Sequence, residues 1–311
     1  MNIDEFNKSK SPLLLEGWLE FNKLKWAVAP FKLNWSLEGK AFPNVKTVWY
    51  LNKRGKIILP PLNPYIGLEF STTNTQKIYN IYNQWIKVSD YLSGEMKKRR
   101  LANMLMLPPG IEDSRSWIWN RFHVGVKYTY KIKFPYEIHL AQTEVRTNIR
   151  KAIKRGFVAE RSNNLKDVYN CLLDTEKRQS FSHNLSLEDL NLLFDLLGEN
   201  HLRTYLCYAP NGEVASATIC LHRDDGYAIG WIRGTKEEYL TSGAAVYLDQ
   251  VTIDDLQKTK AKGIDFCGAN IRNIAKAKRK WGGHLVPFYS LEEYSLITMA
   301  KNLRNMWLFR K

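Results

Sequence analysis

The chain has 311 residues, 44% of them hydrophobic and 13% aromatic, and a formal net charge of +15. That apolar content supports one large core or two ordinary ones and excludes a disordered chain. The charge points to an acidic partner, such as RNA, a phosphate-rich cofactor, an acidic carrier protein or an anionic membrane face, unless it only solubilises the surface.

The first dozen residues are polar and lack an apolar core before a cleavage site, so no secretory leader is expected. No apolar run approaches the ~20 residues of a spanning helix. The expected location is therefore the cytoplasm, with contact at the inner face of the membrane left open. A Trp-rich opening holds Trp18, Trp26 and Trp35. Residues 46–51 read as a strand, and Lys53-Arg54-Gly55-Lys56 as a turn into a strand at 57–59. The prolines of Pro60-Pro61-Leu62-Asn63-Pro64 exclude helix there. Helical spacing of Ile78, Ile81, Trp85, Val88 and Leu92 predicts a helix over 76–101. Strands are predicted at 104–107 and 128–134, with Trp117, Trp119 and Phe122 between them. A helix over 141–155 is stopped by Gly156, and it carries Arg146, Arg150, Lys151, Lys154 and Arg155 beside an apolar side. Further helices are predicted at 165–179 and from Ser186, where Ser186 and Asp189 fit a capping box.

Beyond residue 200 the pattern is clearest. Strands at 203–209, 213–222 and 227–233 are separated by Pro210-Asn211-Gly212 and Arg223-Asp224-Asp225-Gly226, which gives a three-stranded antiparallel meander. A helix then starts at Ser242-Gly243-Ala244-Ala245 and runs to about 262, before a short strand at 264–267. The class is α+β, and a second compact unit is expected to begin near residue 150. Cys171, Cys207, Cys220 and Cys267 have no pairing pattern and read as reduced thiols. His183, His201 and His222 are isolated, so no metal is expected. No serine-hydrolase elbow, Walker loop, dinucleotide fingerprint or zincin motif occurs.

Four stretches together resemble the Fem-type peptidoglycan aminoacyltransferase branch of the GNAT acyltransferase superfamily. They are Pro60-Pro61 with Asn63-Pro64-Tyr65-Ile66-Gly67; Asp113-Ser114-Arg115 with Trp117-Ile118-Trp119 and Lys127-Tyr128-Thr129-Tyr130; Arg146-Thr147-Asn148-Ile149-Arg150-Lys151-Ala152; and Gly263 to Gly268 with Lys278-Arg279-Lys280-Trp281-Gly282-Gly283. They cover about residues 45 to 290. The resemblance implies tandem GNAT-like domains, each a mixed, largely antiparallel sheet flanked by helices. The expected division is 1–150 for a degenerate acceptor-binding half and 151–311 for the transferase half. It implies amide formation by transfer of an acyl or aminoacyl group to an amine, on a small-molecule or lipid-linked acceptor such as a cell-envelope precursor. No cofactor is expected to be permanently bound. The donor is an aminoacyl-tRNA, or a thioester on coenzyme A or an acidic carrier protein.

In GNAT-like folds, parted strands beside the meander expose a backbone N–H to the acyl oxygen, and Gly230 is the candidate for that kink. The resemblance makes Lys278 a stabiliser of the transition state, and Asp265 a candidate base or orienter of the amine. Ser242, Gly243, Ala244 and Ala245 stand where acetyltransferases wrap the coenzyme A pyrophosphate. The departure is Leu240, which replaces the usual Gln or Arg, while Ala277 replaces a Phe beside Lys278. Arg146, Arg150, Lys151 and Arg279 are candidate phosphate binders. Tyr65 and Trp119 are candidate acceptor contacts, and aromatic rings stack on sugars and bases alike, although such residues also build cores. Each charged candidate has a bland counterpart in a solvated helix face or a turn acceptor. A non-catalytic GNAT-fold module for a phosphate-rich or nucleic-acid partner is the alternative reading, and a sequence-specific DNA binder has no supporting motif. The tail 298–311, basic and aromatic, is expected either to dock as a last helix or to rest on an anionic membrane.

Overall fold

The computed structural model describes residues 3–37 and 41–294. In chain order it runs α1 (Ile3–Phe6), α2 (Glu16–Trp26), β1 (Ala29–Ser36), β2 (Asn44–Leu51), β3 (Ile57–Ile58), β4 (Gly67–Ser71), α3 (Ile78–Arg99), β5 (Leu105–Met106), α4 (Arg115–Trp119) and β6 (Phe122–Lys133). It continues with α5 (Thr143–Lys154), β7 (Val158–Arg161), α6 (Leu165–Gln179), α7 (Leu187–His201), β8 (Leu202–Tyr208), β9 (Val214–Leu221), β10 (Tyr227–Thr235), α8 (Ala244–Leu256), β11 (Gly263–Asp265), α9 (Arg272–Arg279) and β12 (His284–Glu293). The α+β class follows from that order. No helix among the described residues is long and apolar enough to cross a membrane.

Two compact units divide the chain, and neither is one continuous segment. The first takes described residues 3–8, 26–127 and 287–294, and the second takes 9–25 and 128–286. This differs from a single cut near 150, for two physical reasons. Val145, Ile149 and Ala152 of α5 are buried in the same core as Leu248 and Ile253 of α8. At the other end, α2 buries Trp18 and Phe21, and the Trp18 ring meets Trp231 edge-on at 5.2 Å. Burying two such side chains stabilises the packing by about 3–6 kcal/mol, so α2 belongs with the meander.

In the first unit, β2 pairs antiparallel with β1, β3 and β4. Asn52 closes the β2–β3 turn by accepting from the N–H groups of Arg54 and Lys56. Along α3, Ile81, Trp85, Val88, Leu92 and Met96 recur at helical spacing and fill the core, where Trp85 meets the rings of Phe6, Phe70 and Trp117.

In the second unit the strand order is β6–β11–β10–β9–β8–β7. The meander β8–β9–β10 is antiparallel, while β11 lies parallel to β10. Every residue of β9 is buried, as for a strand covered on both faces. The capping box at Ser186 forms as expected: the Asp189 N–H donates to the Ser186 hydroxyl, and the Ser186 N–H to the Asp189 carboxylate. Two boundaries differ from the sequence reading. Helix α8 ends at Leu256 rather than near 262, because the Thr259 hydroxyl and N–H both donate to the Leu256 carbonyl and turn the chain. Phe122 begins β6 instead of lying between strands. The helices α1, α2, α4 and α9, the strands β1, β4 and β7, and the long β12 are additions. The tail 298–311 lies outside the described residues.

Two expectations test this packing. A Cβ on Gly17 would sit 2.2 Å from the Leu196 carbonyl oxygen of α7. Gly17→Ala should therefore cost about 1–3 kcal/mol in urea unfolding; a wild-type midpoint would mean α2 docks elsewhere. His222, buried at the end of β9, donates through Nδ1 to the Asn200 carbonyl at 2.8 Å. Burial above all, with Arg203 and His201 adding to it, pulls its pKa below the ordinary 6.5. The unfolded chain thus takes the proton first, so stability present above pH 6.5 is lost as the pH falls below it. His222→Gln should flatten that acid limb of a stability–pH profile, and an unchanged slope would refute the assignment.

Candidate active site

The site is built on a strand pair that parts. β10 pairs with β11 only at Tyr227–Gly263, Ala228–Ile264 and Ile229–Asp265. Past that point the chain after β11 stays with β6: the Phe266 N–H donates to the Tyr130 carbonyl at 3.0 Å, and the Ala269 N–H to the Tyr128 carbonyl at 2.6 Å. β10 meanwhile bulges. Gly230 faces Cys220 on β9 and Ile232 faces Ile219, which leaves Trp231 as the extra residue. The opening between β10 and β11 therefore begins at Gly230, where the sequence placed the kink. A Cβ there would lie 3.4 Å from the Asp265 carbonyl oxygen, an ordinary van der Waals contact, so the bulge rather than a steric need for glycine marks this position.

Lys278 reaches into the bend that follows β11. Its ammonium donates to the carbonyls of Phe266 at 2.6 Å and Gly268 at 2.8 Å, and also to that of Cys267. Cys267 and Gly268 both have positive φ, 50° and 58°, which turns three successive carbonyls towards one cation. Burial lowers the Lys278 pKa from the ordinary 10.5, whereas the three acceptors favour the charged form. Lys278 is thus no solvated surface lysine, unlike its exposed neighbours Lys276 and Arg279. All three of its protons are spent on the bend, so the side chain acts as a clamp on the parted strand and contributes its charge from there.

Asp265 is buried at the same point. Its Oδ1 accepts from the Thr129 hydroxyl at 2.6 Å and from the Cys267 N–H at 2.9 Å, and its Oδ2 lies 3.8 Å from the Lys131 ammonium. It is the turn acceptor of the bend, with a buried hydroxyl and cation around it.

Ser242 to Ala245 open α8. Gly243 has φ 90°, and a Cβ on it would stand 2.5 Å from the Asn148 carbonyl oxygen, so α5 crosses directly against this helix start. The Ser242 hydroxyl accepts from the Ala244 N–H at 3.1 Å and donates to the Tyr239 carbonyl at 2.6 Å. The first amide of the helix is thereby occupied. On α5, Arg150 and Lys151 are exposed, while Arg146 is half-buried and donates to the Thr143 hydroxyl at 3.1 Å. The Lys280–Glu144 ion pair, 2.6 Å, ties the end of α9 to α5. Gly230, Asp265, Lys278, Arg279, the α8 start and the α5 cations thus share one unit.

The first unit holds the other two candidates. Tyr65 is buried, its ring edge-on to Phe288 at 4.9 Å, which makes it a core residue. Trp119 is 58% exposed at the end of α4, beneath the Arg115 guanidinium at 5.5 Å. Arg115 also forks onto Asp113 at 2.9 and 2.8 Å and holds that carboxyl below its usual range. Trp117 and Tyr130 are core.

Sequence reasoning missed Arg233 and Asp249. Arg233, two residues past the Trp231 bulge start, forms an ion pair with buried Asp249 of α8 and donates from Nε to the Thr218 hydroxyl at 3.2 Å. The available signal was a lone carboxylate on the apolar face that also carries Ala244, Leu248, Thr252 and Ile253.

No protein-family model and no curated protein sequence matches the chain. Solved structures do. The crystal structure of FemX superposes with TM-score 0.65 at 13% identity, covering 92% of this chain and 94% of that one. The chain therefore shares the fold of FemX. L-PGS from Bacillus licheniformis gives TM-score 0.54 at 11% identity, over 94% of this chain and 96% of its own. A conserved protein of unknown function from Bacteroides thetaiotaomicron gives 0.54 at 12% identity, over 93% and 94%. At these identities the likeness concerns the fold.

Lys278→Met should destabilise the protein by about 1–3 kcal/mol in denaturant unfolding, since three carbonyls lose their common donor. Wild-type stability would show that the bend holds without the clamp.

Proposed function

We propose that the chain is an acyltransferase that forms an amide on an amine acceptor, with the reaction centred where β10 leaves β11. The parted strand pair at Gly230 carries this reading: the ladder stops after three residue pairs, beside a glycine at the start of a bulge. Acyl transfer needs a polarised carbonyl and a place for the oxyanion. An opened strand edge offers backbone amides for that purpose, and the Lys278 charge sits at its other wall. The amine nitrogen adds to the acyl carbon, and the tetrahedral adduct collapses as the bond to the leaving oxygen breaks. The proton lost by the amine ends on that oxygen.

The donor we propose is an aminoacyl ester on tRNA. A coenzyme A pyrophosphate needs free amides at the start of α8 and small neighbours around them. Here Ser242 takes the Ala244 amide, α5 lies against Gly243, and Leu240 stands where acetyltransferases carry Gln or Arg. The net charge of +15 and the exposed Arg150 and Lys151 suit a polyanion. Such a donor places the work in the cytoplasm. The acceptor amine we propose belongs to a cell-envelope precursor or a related metabolite, the acceptor class that the sequence resemblance to Fem-type enzymes implies.

The test is direct. Purified protein should bind aminoacyl-tRNA with an affinity that falls steeply with salt, and the Arg150→Ala/Lys151→Ala pair should reduce the slope of log K against log salt by about 1–2. Acetyl-CoA should leave the melting temperature unchanged. A melting shift with acetyl-CoA, and none with charged tRNA, would replace the ester donor by a thioester.

A further inference from the structure

At the far end of α8 from the Ser242 loop, about 20 Å away along a helix of this length, lies a cavity of about 720 Å³. Nothing in the acyl-transfer reading uses it. Its wall belongs wholly to the second unit and includes Lys10, Arg203, Arg223, Lys258 and Lys260, against the carboxylates of Asp224 and Asp225. The volume falls in the range of small-molecule sites.

The rim is tied together by the backbone of three separate segments. The Lys10 N–H donates to the Asp225 carbonyl at 3.0 Å, the Asp225 N–H to the Lys260 carbonyl at 3.1 Å, and the Lys262 N–H to the Gly226 carbonyl at 2.8 Å. The Arg223 guanidinium donates to the Ser11 carbonyl at 3.0 Å. Gly226 is fixed by this closure, because a Cβ on it would sit 2.0 Å from the Lys10 carbonyl oxygen. The cations thus stand on a preformed frame, and little ordering remains for a ligand to cost.

Arg203 supplies the second observation. Its side chain is nine-tenths buried, one terminal nitrogen binds the Asp255 carboxylate at 2.8 Å, and its Nε has no hydrogen-bond partner. Asp255 is shared, since the Tyr205 hydroxyl donates to the same oxygen at 2.8 Å. A buried guanidinium with donor capacity left over is costly unless an anion completes it. The helix ends here do not supply that anion. The Asn200 and His201 carbonyls of α7 are taken by His222, and the Leu256 carbonyl of α8 by Thr259.

We infer that this cavity is a binding site for a free phosphorylated small molecule, with Arg203, Lys258 and Lys260 holding its phosphate groups. The site is separate from the transfer centre, and its loss leaves the acyl-transfer reading untouched.

Inorganic pyrophosphate is the probe, titrated calorimetrically at constant ionic strength into the full chain. Wild-type protein should bind it, and the exposed pair Lys258→Ala/Lys260→Ala should weaken binding by about tenfold or more with an unchanged melting temperature in its absence. Arg203→Gln should weaken it further; should that variant fail to fold, the lysine pair still decides. The pair Arg150→Ala/Lys151→Ala on α5 should bind as wild type. No heat from wild-type protein, wild-type affinity in the Lys258/Lys260 variant, or loss of binding in the α5 variant alone would each overturn the assignment.

Discussion

Three carbonyls converging on one ammonium shape the bend on which the candidate site depends. A parallel strand pair gains by continuing its ladder, so a pair that stops after three residues needs something to hold the departing strand elsewhere. Here the chain after β11 stays bonded to Tyr130 and Tyr128 of β6, and Lys278 collects the carbonyls of the bend. Asp265 closes the same bend from its other side by taking the Cys267 amide. Cation, carboxylate and two left-handed residues form a small rigid block, and the gap beside Gly230 is what remains.

That geometry changes the meaning of the residues around it. A lysine with every proton engaged cannot also donate to a substrate without releasing the bend, so in the proposed reaction Lys278 would offer a fixed field and a fixed shape. Fixed dipoles and charges that need no reorganisation are the larger part of what an enzyme can offer a developing oxyanion. Arg233 and Asp249 extend the same logic along β10, because a guanidinium braced by a buried carboxylate and by Thr218 keeps one orientation.

Much of the second unit was legible in the sequence because its signals are local. The turns at Pro210-Asn211-Gly212 and at Arg223 to Gly226 fix the meander, Ser186 and Asp189 announce a helix start, and Gly230 marks the bulge. What stayed hidden depends on contacts distant in sequence. The Lys276 to Lys280 run looks like any solvated basic stretch, and only the path of 266–268 singles out Lys278. Tyr65 sits in a proline-rich motif that suggests a surface loop, yet Phe288, more than two hundred residues on, buries it. The cavity around Arg203 gathers side chains from Lys10 to Lys260, so no window of sequence contains it.

The membership of residues 9–25 has a consequence for how the protein is made. Helix α2 emerges early in synthesis, but the Trp231 ring and the Leu196 carbonyl against which it packs are translated far later. Until then Trp18 and Phe21 have no berth, and the nascent chain must carry them uncovered while the intervening segment is synthesised. A fragment starting at residue 128 would face the converse problem, with the groove for α2 left empty. The second unit is therefore completed by one of the first segments made, which can dock only after residues 196 and 231 have followed it.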